Sequence, residues 1–261
     1  MSKALNYGSY LRVDELLQLQ TPRSSGPEHD ELLFIVIHQV YELWFKELLH
    51  EIEYLQRLLC ENDAGRAAHT TRRILAILKT VVAQLDVLET LTPLEFNSFR
   101  GFLESASGFQ STQFRELEFI LGYKRENVMR HMDDVEEALR RLRQRFEQPT
   151  LWDAFLRYLA MNGFAIPPEQ LERDVRCPVQ ASPEVQAQLV EAYRHNATVS
   201  NVCENLIDID EGLQEWRYRH MKMVQRTIGV KSGTGGSPGA AYLGSTLKPF
   251  FPDLWAIRAQ L

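Results

Sequence analysis

Apolar residues recur every three to four positions over most of the chain, the period of helices that bury one face. The strongest such segment opens at Pro27-Glu-His-Asp-Glu-Leu-Leu, with acidic residues where a helix N-terminus favours negative charge. From Leu32 to Val40 it is apolar on nearly every side, and from Glu42 to Leu59 it becomes amphipathic. That profile predicts a helix running through the middle of a bundle. Ile35-Val36-Ile37 alone would suit a buried strand, but the pattern continues past residue 50 without a break, which favours helix.

The same period predicts helices over 66–90, 94–103, 109–121, 126–147 and 151–163. Glu104-Ser-Ala-Ser-Gly108 interrupts the second and third of these. Ala165-Ile-Pro-Pro through Ser182-Pro183 reads as a loop excursion. A long helical region follows from 183 to about 228, with candidate breaks at Asn196 and Asp208, and a short helix closes the chain around 251–260. There is no strand-rich block, long linker or internal repeat. The expectation is an all-α fold, a single domain over residues 1–261 built on long antiparallel helices.

Composition narrows the class of function without naming one. With 29 basic and 35 acidic residues, the net charge of −6 leaves no electrostatic footprint for nucleic acid. Cys60, Cys177 and Cys203 lie far apart with no CxxC pair, which argues against a zinc ribbon, a disulfide framework or a dithiol redox site. The N-terminus lacks the continuous apolar core of a signal peptide. Leu32–Val40 is about half of the roughly 20 residues that a bilayer span needs. A soluble, cytoplasmic protein with no membrane partner is the expectation.

Several short motifs offer chemistry, each beside a plainer explanation. Gly229-Val-Lys-Ser-Gly-Thr-Gly-Gly-Ser-Pro-Gly239 lacks the ending of a phosphate-binding P-loop and the spacing of a dinucleotide turn. It is either a flexible connection or a loop whose glycines let backbone and the Thr234 hydroxyl approach a ligand. His38 sits in the most apolar stretch, between Phe34 and Glu42 one turn to either side; it suits a hydrogen-bonded core residue or a histidine facing a buried pocket. Glu47-Leu-Leu-His50 has the ExxH spacing of di-iron bundles, but no second copy exists, so His50 reads as a surface or interface residue. His220 shares much of one helical face with Trp216, Met223 and Ile228; one such imidazole is enough to hold a haem iron, and a surface histidine in a basic helix fits equally. Phe96-Asn-Ser-Phe-Arg100 puts two aromatics and an arginine on one face, an arrangement suited to a carboxylate at the edge of an apolar pocket or to an arginine stem covering apolar surface. Ser105-Ala-Ser-Gly108 admits a flat ligand or is only a helix break.

The order of these motifs along the chain resembles the tryptophan 2,3-dioxygenase family. Six segments carry the likeness, and together they extend over nearly the whole chain: Tyr7-Gly-Ser-Tyr-Leu; His29 to Lys46, with His-Gln-Val-Tyr-Glu-Leu-Trp from His38; Phe96 to Arg100; Ser105 to Arg115, with Ser-Gly-Phe-Gln-Ser from Ser107; Trp216-Arg-Tyr-Arg-His220; and Gly233-Thr-Gly-Gly-Ser-Pro-Gly239. Pro238 stands where relatives often carry a small residue, and Val175–Ser182 and the region around Asn196–Asn205 depart from the family pattern.

The resemblance implies a haem pocket inside the helical fold and a set of roles. His220 matches the ligand to the iron of haem b, one per subunit and ferrous when active. Ser107 and Gly108 match the small segment beside the oxygen-binding face. His38 matches the catalytic histidine near the substrate's indole N–H, and Phe34 and Phe96 match the walls of the indole pocket. Arg100 matches the partner of the substrate carboxylate, and Thr234, within the Gly-rich active-site loop 229–240, matches a contact to the substrate's ammonium and carboxylate. Tyr7 and Tyr10, in an N-terminal segment over 1–20, match tyrosines that complete a neighbouring subunit's pocket, which implies a homotetramer (a dimer of dimers). The implied reaction opens the indole C2–C3 bond of L-tryptophan with O2 to give N-formyl-L-kynurenine, in tryptophan catabolism by the kynurenine pathway. Insertion of a single oxygen into a tryptophan derivative and a haem sensor without turnover are the alternatives on the same scaffold.

Overall fold

The structure, a computed structural model, describes residues 4–26, 28–131, 136–234 and 239–261. Two short helices, α1 (Tyr7–Leu11) and α2 (Val13–Leu16), precede the 32-residue α3 (His29–Cys60). The chain turns back into α4 (Ala64–Leu88), whose start is capped by Asp63 Oδ1 accepting from the amide of Arg66 at 2.9 Å. Thr92, Pro93 and Glu95 form a capping box with proline at the first helical position and open α5 (Pro93–Arg100). Then follow α6 (Thr112–Ile120), α7 (Glu136–Phe146), α8 (Leu151–Met161), α9 (Pro168–Leu171), α10 (Pro183–His195), α11 (Ala197–Ile228), α12 (Ala240–Ser245) and α13 (Pro252–Ala256). Short 3-10 turns fill 101–103, 108–110, 126–131 and 257–260, and no strand occurs among the described residues.

The all-α expectation holds. α11 lies along α4, while α3 packs against α4, α8 and α6. Leu48 and Ile52 of α3, Ile74 and Leu85 of α4, Trp152 and Phe155 of α8, and Val199 and Leu206 of α11 belong to one buried apolar cluster. Gly212 lets α11 approach α4 closely, since a Cβ there would stand 3.3 Å from Leu78 Cδ1. Asp210, fully buried on α11, fastens the C-terminal segment. One of its oxygens accepts the amides of Phe250 and Phe251 at 2.9 and 3.0 Å and the indole N–H of Trp255 at 3.0 Å.

The structure corrects several boundaries. The helix expected over 126–147 is a 3-10 turn over Glu126–His131 and then α7, with 132–135 outside the described residues. The turn brings Val128 onto Phe119 and Leu142 in a small satellite core, and Lys124 donates to the carbonyls of Arg145, Phe146 and Gln148 where α7 ends. The region 183–228 breaks at Asn196, whose side chain accepts from Val199 N at 3.1 Å, and not at Asp208. The loop excursion contains α9, and α12 was not expected from the sequence pattern. Nor is the Leu32–Val40 stretch covered all round: Leu32 and Val36, with Leu43 beyond them, leave an exposed apolar stripe on the outer face of α3. Pro27, Pro238 and the centre of the Gly-rich loop, 235–238, lie outside the described residues.

Candidate functional site

Where α3, α5, α6, α11 and α12 converge, they enclose a cavity of ≈ 220 Å³. Its walls are mainly apolar: Phe34 and Phe45 of α3, Leu91, Phe96 of α5, Phe114 of α6, and Met223, Val224 and Ile228 of α11. His38, Phe34, Phe96, Arg100, Ser107, Gly108, His220 and Thr234 all line it, so eight positions spread over two hundred residues meet at one place.

His38 projects from α3 with its ring against Phe34, the centroids 4.1 Å apart. Its Nδ1 lies 2.7 Å from the carbonyl oxygen of Phe34, one turn back. A carbonyl only accepts, so Nδ1 carries the proton and Nε2 is left with its lone pair. Burial lowers the His38 pKa, opposed by the Phe34 carbonyl and by Glu42, and keeps the ring neutral at physiological pH. Phe34, Phe96 and Phe99 stand beside it with centroid separations of 5.5–5.7 Å, a wall of aromatic faces and edges that suits a flat apolar group.

His220 reaches the cavity from α11. Burial pushes its pKa down to about 4, with the neighbouring His38 and Arg115 acting in the same direction, so its imidazole is neutral and offers a lone pair to a metal. Its ring lies parallel to that of Trp216, one turn earlier, at an interplanar angle of 4°.

Glu118 and Arg115 of α6 with Arg217 of α11 form the most polar part of the wall, and Arg125, outside it, joins the same cluster. The Glu118 carboxylate is 1% exposed and accepts from Arg115 at 2.6 Å, Arg125 at 2.7 Å and Arg217 at 2.8 Å. Burial would raise its pKa, but the three guanidiniums more than offset this and hold it below the usual carboxylate range. Three positive charges around one negative leave two uncompensated, and the buried Nε of Arg217 has no hydrogen-bond partner among the described residues. Haem brings a flat apolar macrocycle, a metal that needs a neutral imidazole, and two carboxylates. The apolar walls, His220 and the surplus positive charge beside Arg115 and Arg217 fit those three requirements.

At the mouth, Arg100 of α5 donates to the carbonyl of Ser232 at 2.6 Å, and Thr234 Oγ1 donates to the carbonyl of Ala106 at 2.5 Å. The start of the Gly-rich loop is thereby tied to the 104–108 break, and Glu104 adopts φ 49° there, a conformation that costs free energy for a non-glycine residue. Tyr7 and Tyr10 are not brought to the cavity. They lie on α1, 79% and 73% exposed. His50, the histidine of the ExxH motif, is exposed on α3.

Sequence reasoning assigned no role to Arg115, Glu118, Arg125, Arg217 or Tyr242, whose hydroxyl accepts from Arg125 at 2.9 Å. Arg115 and Arg217 fall inside two of the six family-like segments, but nothing in the order of residues pairs Glu118 with an arginine 99 positions later. A charged residue set among apolar positions of α6 was the available signal.

A family model described as tryptophan 2,3-dioxygenase matches residues 1–154 and 197–261. The chain is 67% identical over 261 residues to the tryptophan 2,3-dioxygenase of Herpetosiphon aurantiacus, covering all of both chains. It is 54% identical to that of Anaeromyxobacter sp. strain K, covering all of this chain and 97% of the relative, and 43% identical to that of Arthrobacter sp. strain FB24, covering all of this chain and 93% of the relative. The unmatched stretch, 155–196, includes Val175–Ser182, whereas 197–205 lie inside the match. Every residue that lines the cavity lies in the matched segments.

Proposed function

The chain belongs to the tryptophan 2,3-dioxygenase family, and from that premise we propose that it opens the indole C2–C3 bond of L-tryptophan with O2 to give N-formyl-L-kynurenine, in tryptophan catabolism, with one haem b held by His220. The observation that carries the reading is the meeting, in one apolar cavity, of two neutral histidines from different helices with Arg100 and Thr234 at its mouth. Haem iron, when bound, supplies the activation of O2 that amino-acid side chains cannot. His220 would hold the iron through its neutral imidazole, and Arg115 and Arg217 would offer positive charge to the carboxylates of the group. Ser107 and Gly108, small residues that line the cavity, would leave room beside the group for O2.

The remaining residues bind and orient the substrate. Phe34 and Phe96, packed against each other, line the indole pocket and exclude water. His38 accepts the indole N–H at Nε2, since its Nδ1 proton is committed to the Phe34 carbonyl. It positions the ring as a neutral acceptor and need not act as a strong base. Arg100 exchanges its contact with the Ser232 carbonyl for the substrate carboxylate, which is the stronger, charge-assisted bond. Thr234 holds the ammonium and carboxylate end. Fixing both ends of the amino acid supplies the proximity on which the rate depends.

The 261 residues form one catalytic domain, and the assembly is a homotetramer, a dimer of dimers, in which Tyr7 and Tyr10 complete a neighbour's pocket. The exposed Leu5, Tyr7, Tyr10, Leu17 and Leu19 of the N-terminal segment, together with the stripe on α3, support this reading: the amount of exposed apolar surface calls for a partner. Three free cysteines suit the reducing cytoplasm. Among the described residues no helix is long and apolar enough to cross a membrane.

The test is aerobic reaction of the ferrous, haem-loaded protein with L-tryptophan, with the product mass as readout. A gain of two oxygen atoms is expected; a gain of one, or no turnover, would overturn the assignment. His220→Ala should lose the five-coordinate, histidine-ligated ferrous spectrum, and its retention would remove His220 as the ligand.

A further inference from the structure

A histidine that holds a metal usually donates its second ring N–H to a carboxylate, carbonyl or water, and that bond fixes the plane of the ring. His220 has no such protein partner: neither ring nitrogen makes a hydrogen bond to any described residue. Arg115, which bears on it electrostatically, is itself a donor and cannot accept from the ring. The ring is nevertheless held in one plane, by an aromatic face. Trp216 and His220 are one turn apart on α11, with centroids 5.0 Å apart and planes within 4° of parallel.

Trp216 is well placed to act as the template. It is 7% exposed and clamped on its other sides by rings from two further helices. Phe45 of α3 meets it edge to face at 90° and 5.8 Å, Tyr41 of α3 at 69° and 6.1 Å, and Phe114 of α6 at 44° and 4.9 Å. Rings packed from three directions leave the indole no alternative rotamer without opening the α3–α6–α11 junction. A surface that is immobile and flat imposes its own plane on an imidazole stacked against it.

We propose that Trp216 is the positioning residue for His220, orienting the imidazole by stacking where other metal-binding histidines are oriented by a hydrogen bond. The proposal rests on the reading of His220 as the haem ligand. Two consequences follow. Any aromatic ring at 216 keeps part of the function, because the interaction is with a face and not with a polar atom. The orientation is also present before haem arrives, because the stack is formed by the chain alone.

The experiment compares wild-type protein with Trp216→Phe, Trp216→Leu and His220→Ala, each loaded with haem. Two quantities are read: the iron–histidine stretching band of the ferrous protein by resonance Raman, and the rate of haem transfer to excess apomyoglobin. Selectively labelled histidine provides a third readout, the χ1 coupling of His220 by NMR in the haem-free chain. Trp216→Phe should keep the wild-type band and a transfer rate within about 3-fold of it. Trp216→Leu should broaden or shift the band, average the χ1 coupling, and speed transfer by about 3- to 10-fold, the range an aromatic pair supplies beyond burial. A Trp216→Leu protein that keeps the wild-type band, rate and coupling would overturn the proposal. Should that variant not fold, Phe114→Leu loosens the clamp without touching the stacked pair; a broadened band supports the template and an unchanged band and coupling overturn it. If His220→Ala shows the wild-type spectrum, the ligand assignment fails, whereas a lost band in His220→Ala with wild-type behaviour in Trp216→Leu overturns the positioning role alone.

Discussion

Glu118→Gln removes the single negative charge from a nest of three guanidiniums and keeps the side-chain volume. Arg115, Arg125 and Arg217 stand 2.6–2.8 Å from the carboxylate, and the amide that replaces one oxygen is a donor facing donors. At an effective dielectric near 20, opposite charges about 4 Å apart attract by roughly 4 kcal/mol. Three such attractions, offset by desolvation of the carboxylate and by repulsion among the arginines, bring the loss into the range of about 3–5 kcal/mol that follows from breaking a buried ion pair. For a chain of this size that corresponds to a fall in Tm of roughly 6–20 °C. Urea denaturation of the haem-free wild type and variant at pH 7 measures it directly. The pH dependence provides a second, independent check. The pKa of Glu118 is lower in the folded chain than in the unfolded one, so its contribution is complete above the unfolded value of about 4.3 and is lost as pH falls through the folded value. The wild type must therefore converge on the variant as the pH is taken from 7 through 4 and below. A difference under about 1 kcal/mol at pH 7, or one that stays constant down to pH 3, would refute the account of Glu118 as the ionised hub.

Arg100→Leu should weaken L-tryptophan binding by about 2–5 kcal/mol, because a substrate carboxylate is left without its partner; unchanged affinity in a spectroscopic titration would place that carboxylate elsewhere. His38→Ala should lower kcat/KM by roughly tenfold, the worth of one hydrogen bond to the indole N–H, with activity retained. Complete loss of activity with haem and substrate still bound would instead make His38 an obligatory base. Gly122→Ala should cost about 2–3 kcal/mol in urea denaturation, since φ is +104° there and the new Cβ would lie 2.5 Å from Val179 Cγ2; a loss below about 0.5 kcal/mol would mean that the 172–182 segment yields freely.

Helical periodicity was enough to read α3, α4, α8 and α11 from the sequence, because a helix of several turns repeats its apolar face often enough to be unambiguous. The short elements were not legible. Glu126–His131 and α12 each span no more than two turns, and their placement depends on distant partners: Val128 packs on Phe119 and Leu142, and Tyr242 of α12 accepts from Arg125. The break at Asn196 was one of two candidates, and the side chain's capping bond to Val199 decided it.

The site divides along the same line. Local motifs and their order, through the resemblance to the family, brought out Phe34, His38, Phe96, Arg100, Ser107, Gly108, His220 and Thr234; the motifs by themselves left each open to a plainer explanation. Tertiary structure decided which of them share a cavity, which nitrogen of His38 is free, and that His220 rests on Trp216 with no polar partner. It alone revealed the arginine nest around Glu118, whose members come from positions 115 to 217. A local motif records what a few neighbouring residues can do, whereas charge balance and hydrogen-bond direction depend on groups that only folding brings within a few ångströms of one another.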